Sequence, residues 1–530
     1  MVTRITGMAS GMDVESLVQK LISAESAPLN KMNTQKQLME WKREGYREMS
    51  TRLVTFSQTK ITDLFSKASS LNAQTTKVSG DTSAVTAKAG SAASGVLDIE
   101  VTKLASAARA VSNAPTLDSG VSTPTDWGSL KLSDISGVTV SSGSKISIGG
   151  KDIELTENDT ISTLVSKINN NTEAGVSAVY DSRTGKISLT SKATGAAGNN
   201  ITLNDNGTGL FGASSFNLAS ANAFTGGDDA VIKANGLEMK QTSNTFMLNG
   251  VELTLNALTQ AGKPAHIEAV KDTDKIVENV KAFVTAYNEL LSAVNSKVGE
   301  ERYRKYDPLT SDQKKDMSDS EIELWTSKAK SGMLKNDSIL ESTLSQFRTA
   351  MMTPVKLSGS LMKDGQVVTK NGSPITEVDM SYLGISTGTW QSKGQLIFDE
   401  DKFKAALDDN PNIVNDFFGS NFASSFTSTP YTDTESMKGD GIFARMRKIS
   451  TNALSELAST AGTSKVSSDL TSSFNVDSTM GETLRRLEKQ ISEFQAKLNT
   501  KETNYYKKFS AMETAINRYN NTSSSLSSYL

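Results

Sequence analysis

Residues 484–519 read LRRLEKQISEFQAKLNTKETNYYKKFSAMETAINRY. Leu484, Ile491, Leu498, Tyr505, Met512 and Tyr519 fall on an unbroken seven-residue period. A second row begins three positions on with Leu487 and Phe494, meets Lys501, and resumes four positions on with Phe509 and Ile516. Such a seam keeps one face of a helix turned to a partner helix, as in a coiled coil. No glycine or proline interrupts residues 482–530, so the spacing predicts a rod of about 54 Å at 1.5 Å rise per residue. Thr479 and Glu482 have capping-box spacing ahead of it. The Ser-rich end, 520–530, is expected to fray.

The opposite end of the chain mirrors this pattern. Val14, Leu17, Val18, Leu21 and Ile22 lie on one helical face behind Asp13, a helix-starting residue. Pro28 marks the start of a second helix. Along that helix Met32, Met39, Tyr46 and Leu53 recur every seven residues, joined by Met49 and Phe56. Ile61, Leu64, Ala68 and Leu71 carry the pattern onward. An apolar stripe has to be buried against something. The candidate partner-contact residues are therefore Val14, Leu17, Leu21, Ile22, Leu29 and Met32 at one end. At the other they are Leu484, Leu487, Ile491, Phe494, Leu498, Tyr505, Phe509, Met512, Ile516 and Tyr519.

Between the ends, at about residues 76–272, charge thins out and the apolar period becomes two. Leu97 to Val101 alternates, as do Lys145 to Ile148 and Ile153 to Leu155 across Gly149-Gly150. Lys186 to Thr190 follows Thr184-Gly185, and Phe246 to Leu248 faces Val251 to Leu255 across Asn249-Gly250. These are antiparallel strands with tight hairpin turns. One short helix is expected at Ile161 to Asn169. Helix returns after Asp274, with Ile276, Val280, Phe283, Val284, Tyr287, Leu290, Leu291 and Val294 in one stripe. A polar connector, 299–320, precedes a helix from Ser338 to Met352; a strand, Gln395 to Phe398, precedes one opened by Asp399 and ended by Pro411.

The fold class is thus α+β and multidomain, with long coiled-coil terminal arms and nested antiparallel β domains between them. The expected division is a paired-arm domain, 1–45 with 482–530, and a mainly helical bundle with a small strand element, 46–76 with 273–481. An inner β domain spans 77–135 with 225–272, and an outer one 136–224. Each outer layer draws on two separate stretches of chain.

Composition narrows the chemistry. The 530 residues carry a net charge of −3, which argues for neither a nucleic-acid partner nor an acidic tail. Cysteine is absent, which removes disulfides, thiolate catalysis and thiolate metal ligation. The single histidine, His266, would have to serve alone as the base of any triad, and the simpler reading is structural. Gly207, Gly209 and Gly212 match a dinucleotide fingerprint in spacing, but no helical stripe follows. Asp228-Asp229 and Asp408-Asp409 are adjacent carboxylates whose side chains diverge. No cofactor, metal or catalytic residue is expected, and no enzyme. No run approaches a membrane span, and Met1 to Met12 lacks the apolar stretch of a cleaved export signal.

Several stretches resemble the flagellar filament-capping family, also called hook-associated protein 2. The opening Ile5-Thr6-Gly7-Met8-Ala9-Ser10-Gly11-Met12-Asp13, with Leu17-Val18 and Glu25 to Leu29, is similar to that family's signature. So are Phe283-Val284-Thr285-Ala286-Tyr287-Asn288, Tyr306 to Thr310, Ser331 to Asp337, Leu383 to Ser386 and Gly394 to Asp399. Residues 145–203 resemble the β inserts of flagellins. The resemblance implies a secreted, extracellular protein at the filament tip, which helps exported flagellin fold and insert and prevents its loss. It implies a homo-oligomeric ring of roughly four to six subunits with closed symmetry. Flagellin, hook-associated junction proteins and a cytoplasmic export chaperone would be its partners. A hook–filament junction or filament subunit, or a surface adhesin, are the alternatives.

Overall fold

The computed structural model describes residues 10–196, 201–426 and 430–527. The chain divides into two compact units: residues 1–72 with 273–530, and residues 73–272.

The first unit is mainly helical, with four two-stranded antiparallel sheets among its described residues, from Val355–Lys356 to Leu396–Phe398. Helix α1 (Val14–Glu25) starts where Asp13 accepts a hydrogen bond from the Ser16 N–H at 3.0 Å. Helix α2 (Ala27–Val54) carries Pro28 in its first turn, where no N–H is needed. It runs on into a π-helical stretch, Thr55–Phe65, in which the Thr62 hydroxyl donates to the Ser57 carbonyl five residues back. Short α3 (Ala68–Leu71) ends this arm. After the second unit come α5 (Thr273–Gly299), α6 (Ser311–Lys315), α7 (Asp319–Lys330) and α8 (Ser338–Met352). Then follow α9 (Glu400–Asp409), α10 (Ile442–Ala461) and α11 (Thr479–Ser527).

One difference from the sequence reading concerns a helix start. The capping-box spacing of Thr479 and Glu482 does not form: Thr479 is already helical. Ser478 serves instead, its hydroxyl accepting from the Gly481 N–H at 3.2 Å. Helix α11 extends through the Ser-rich stretch as far as Ser527. Three helices lie where the residue pattern placed none: α6 inside the connector 299–320, α7 and α10.

Among its described residues the second unit holds fifteen antiparallel strands and one long helix, α4 (Ile161–Asn170). A five-stranded sheet has the order β1 (Gln74–Gly80), β15 (Ala265–Lys271), β3 (Val96–Lys103), β11 (Ala230–Ala234), β12 (Leu237–Gln241). It shares a core with a three-stranded sheet of β13 (Thr245–Leu248), β14 (Val251–Leu255) and β2 (Val85–Ala89). Asn249 and Gly250 both take positive φ between β13 and β14, the two-residue turn that Asn-Gly favours. Leu97, Ile99, Val101, Ile232, Leu253 and Ile267 fill this core.

A separate core holds a four-stranded sheet, β10 (Phe224–Thr225), β4 (Ala107–Val111), β8 (Ile187–Thr194), β7 (Val176–Tyr180). The hairpin β5 (Ser144–Ile148) and β6 (Lys151–Leu155), with β9 (Leu203–Asn204), joins it. Its members run from Ala108 through Trp127, Leu130 and Ile135 to Phe216 and Leu218. The three spaced glycines lie in turns here, and no helix follows them.

Candidate assembly interface

The arms rest on a base that is packed from all sides. Around α10, Phe443 meets Phe283 and Phe418 with ring centroids 5.2 Å apart, and Phe56 meets Phe347 at 6.0 Å. Arg445 lies in the middle of this core at 0% exposure. Its Nη1 donates to the carbonyls of Ala350 (2.7 Å) and Thr353 (2.6 Å), and Nη2 to that of Pro354 (2.8 Å). Its Nε donates to Met437 and Asp440 carbonyls at 3.0 and 2.8 Å. Ala350, Thr353 and Pro354 are where α8 ends, so the guanidinium satisfies carbonyls that have no helical partner and sits at the negative end of the dipole. Burial pulls it down to about 10, so it stays charged at neutral pH.

The loop 462–478 is strapped to α2. Arg43 and Arg47 stack on the Phe474 ring at 4.1 and 3.9 Å, and donate to the carbonyls of Ala461, Asn475 and Leu470. Gly462 ends α10 at φ +77°, where a Cβ would stand 2.2 Å from the Asn475 carbonyl oxygen. This turn sends α11 back along α2.

Helices α1 and α2 pair antiparallel with α11. Lys36 bonds Glu488 at 2.9 Å, nearest the base. Further out Glu25 accepts from Lys501, and from the Tyr505 hydroxyl at 2.5 Å. Near the end Ser10 meets Glu513. The hydrogen bond from Lys501, then that from Tyr505, holds the Glu25 carboxyl below its ordinary value. The hydrogen bond to Glu488 raises Lys36.

Coverage of the apolar stripes changes along this pair. Leu484, Leu487, Leu498, Val14 and Val18 are buried by the chain itself. Ile22, Leu29, Met32, Ile491, Phe494, Tyr505, Phe509, Met512 and Ile516 are half-buried. Leu17 and Leu21 remain 37% and 40% exposed, and Tyr519 is 76% exposed. Two helices can each hide one stripe only. A groove of about 700 Å³ also opens between α2 and the start of α11, floored by Leu38, Met39, Met333 and Leu487.

Sequence reasoning missed a recurrent positioning device. The amide of Asn288 on α5 accepts from the Leu396 N–H at 2.8 Å and donates to the Leu396 carbonyl at 2.9 Å. Asn169 does the same to Ala178, Asn244 to Ala105 and Asn410 to Met362. Each side chain stands in for a neighbouring strand, which blunts an open edge. Asparagine was visible at these positions, but for Asn288, Asn244 and Asn410 the partner is distant in sequence.

Among the described residues no group of three His, Cys, Asp or Glu is placed to hold a metal, and no helix is long and apolar enough to cross a membrane. His266 is exposed on its strand, with Nδ1 2.7 Å from Asp98.

The family model described as "Flagellar hook-associated protein 2 C-terminus" matches residues 227–521, over half the chain. The chain belongs to the flagellar hook-associated protein 2 family. The corresponding N-terminus model matches residues 10–108, and the "Flagellin hook IN motif" matches 131–193. The flagellar hook-associated protein 2 of Halalkalibacterium halodurans is 28% identical over 559 residues, spanning 99% of each chain. That of Escherichia coli K12 is 26% identical over 538 residues, spanning 98% of this chain and 96% of the other. The crystal structure of the flagellar cap protein FliD D1-D2-D3 domains from Escherichia coli shares the fold. It gives a TM-score of 0.50 at 23% identity, covering 79% of this chain and 97% of that one.

The motifs that carry the family resemblance occupy structural posts in this member. Phe283 and Tyr287 are core residues and Asn288 is an edge clamp. The Tyr306 ring packs at a tilt against Trp325, centroids 4.6 Å apart, and the Trp325 Nε1 donates to the Asp307 carbonyl. Asp337 caps α8 and accepts from the Tyr46 hydroxyl at 2.5 Å. The opening residues Ile5 to Ala9 lie outside the described residues.

Proposed function

We propose that this chain is the subunit of the cap at the distal end of the flagellar filament, acting outside the cell and doing no chemistry of its own. It would close as a small homo-oligomeric ring, with flagellin and the hook-associated junction proteins as partners and an export chaperone covering the C-terminal arm before assembly. Membership of the hook-associated protein 2 family supports the cap. The observation that carries the mechanism is the half-covered stripe of the arms: Leu17, Leu21, Tyr519 and the half-buried row between Tyr505 and Ile516. Apolar side chains left in water at ordered helix faces gain about 25 cal/mol per Å² on being covered. Filament subunits at the tip offer that cover, and the gain per residue is small enough for the arms to shift as each subunit adds.

The units then divide the labour. The arms, 1–45 with 482–530, grip the filament, and the bundle, 46–76 with 273–481, holds them. The two β cores form the plate. We place the border between them near residue 106 rather than 135, because Trp127, Leu130, Leu132 and Ile135 pack with Ile146 and Leu189.

A chain ending at residue 500 tests this. It keeps Leu484, Leu487 and Leu498, which are already buried within the chain. It should fold, and should fail to restore filament growth to cap-deficient cells. Normal filaments from that truncation would overturn the role of the arms.

A further inference from the structure

The groove between α2 and α11 has a chemistry that the cap reading does not use. Its floor is apolar, and Lys42, Arg302 and Arg486 rim it without a carboxylate among its lining residues. Lys42 lies 3.8 Å from buried Asp337, and Arg302 donates to the Ala329 and Ser331 carbonyls. Arg486 is exposed at the rim. The groove therefore suits an occupant with an apolar side chain flanked by acids.

The first half of α7 has that composition. Residues 316–324 read DMSDSEIEL, with no cation. Glu321 is engaged with Ser318 in a capping box, but Asp316, Asp319 and Glu323 are exposed. Leu324 beside them is 61% exposed.

In its own copy the start of α7 is not among the groove's lining residues. The groove lies on the row Gln35, Leu38, Met39, Lys42 and Tyr46 of α2. The block that carries α7 lends the groove Arg302 and Met333 from beyond the helix's two ends, while the segment leading into α7 sits against another row. Residues 308–311 lie beside Asn30, Asn33 and Gln37, and Lys330 stands 5.3 Å from the Trp41 ring. At 100° per residue these rows are about 150° apart around the helix. A basic groove on one side and an acidic helix start on the other make a head-to-tail contact, the kind that closes rings.

We infer that the groove between α2 and α11 of one copy receives the start of α7, around Glu323 and Leu324, from the next copy. The inference rests on the proposal that the chain works as a homo-oligomer, and it assigns one of that oligomer's contacts. Reversing a rim charge sets like charges together, so Arg486→Glu should raise the concentration of half-assembly about tenfold. Adding Glu323→Arg to the same chain should restore it.

The test uses the full chain and its natural lack of cysteine. Met39→Cys and Leu324→Cys are made as separate proteins, mixed, oxidised and sized, with mass photometry of the unmodified chain alongside. A disulfide dimer in the mixture, absent from either protein alone, is the expected result. Assemblies of normal size with no such dimer, or an Arg486→Glu chain that assembles as before, would overturn the inference and leave the cap reading standing. A Met39→Cys chain that cross-links to cysteine-bearing flagellin and never to a second copy would also overturn it. A chain that stays monomeric at every concentration would sink both.

Discussion

Helices α10 and α11 are neighbours in sequence and opposites in design. In α10 eleven of twenty residues are buried. In α11 only six of forty-nine are buried, although its apolar period is the clearest in the chain. Helix α10 is enclosed around its first turns and then buries a stripe of Met446, Ile449, Ala453, Leu454 and Leu457 completely, whereas the longer stripe of α11 is only partly covered by its own chain. The regularity of α11 is therefore the mark of an element that meets few of its contacts within its own chain. The two helices should respond differently to every perturbation: α10 through stability, α11 through assembly.

The largest contrast lies at Arg445. Arg445→Met removes the guanidinium's hydrogen bonds to five carbonyls in the core, of which that of Met437 keeps the Asp440 N–H. It should cost about 3–5 kcal/mol of the helical unit's stability, read as an earlier urea transition by circular dichroism. Phe443→Ala on α10 should cost about 3–5 kcal/mol through the cavity it opens. Phe509→Ala on α11 should cost about 1 kcal/mol or less, and should nonetheless impair capping in a motility assay. Equal losses of stability from the two truncations would break the comparison.

Asn288→Ala removes both hydrogen bonds to Leu396. It should cost about 1–3 kcal/mol, since the strand edge is left unmet. Hydrogen exchange at Leu396 to Phe398 would show it.

The β unit adds a dependence on pH. Burial disfavours the charged form of Asp159, but hydrogen bonds from Lys167, the Thr156 N–H and Thr163 outweigh it and hold the carboxyl below the usual aspartate value. A depressed carboxylate stabilises above its unfolded value, and that contribution fades as pH falls through the folded one. The outer β core should therefore weaken as pH falls below about 4, and Asp159→Asn should flatten that dependence. The smallest effect is expected at the arms. Glu488→Gln breaks an exposed ion pair with Lys36, worth less than about 0.5 kcal/mol and lost in high salt.

What could be read in advance follows the same physics. The hairpin at Asn249-Gly250, the helix after Thr160 and the arms all carry local signals: a turn dipeptide, a cap, a period. The helix α10 carries Arg445, Arg447 and Lys448 within its first turns, and looks solvated until α8 supplies carbonyls for Arg445 from about a hundred residues away in the chain. Helix α7 hides behind its acids and lysines, with Ala329 its single buried residue. The strap of Arg43 and Arg47 on Phe474 joins positions over 400 apart. For the candidate interface, the pattern gave the stripe but not its coverage, because burial of Leu484 and exposure of Tyr519 depend on where the base ends.

Hydrogen exchange on the free chain and on capped filaments compares the two helices directly. Amides of 442–461 should be protected in both states. Those of 14–29 and 500–527 should exchange fast in the free chain and slow markedly on the filament. Arms as protected as α10 in the free monomer, or unprotected on the filament, would contradict the claim that neighbours complete the cover of their stripes.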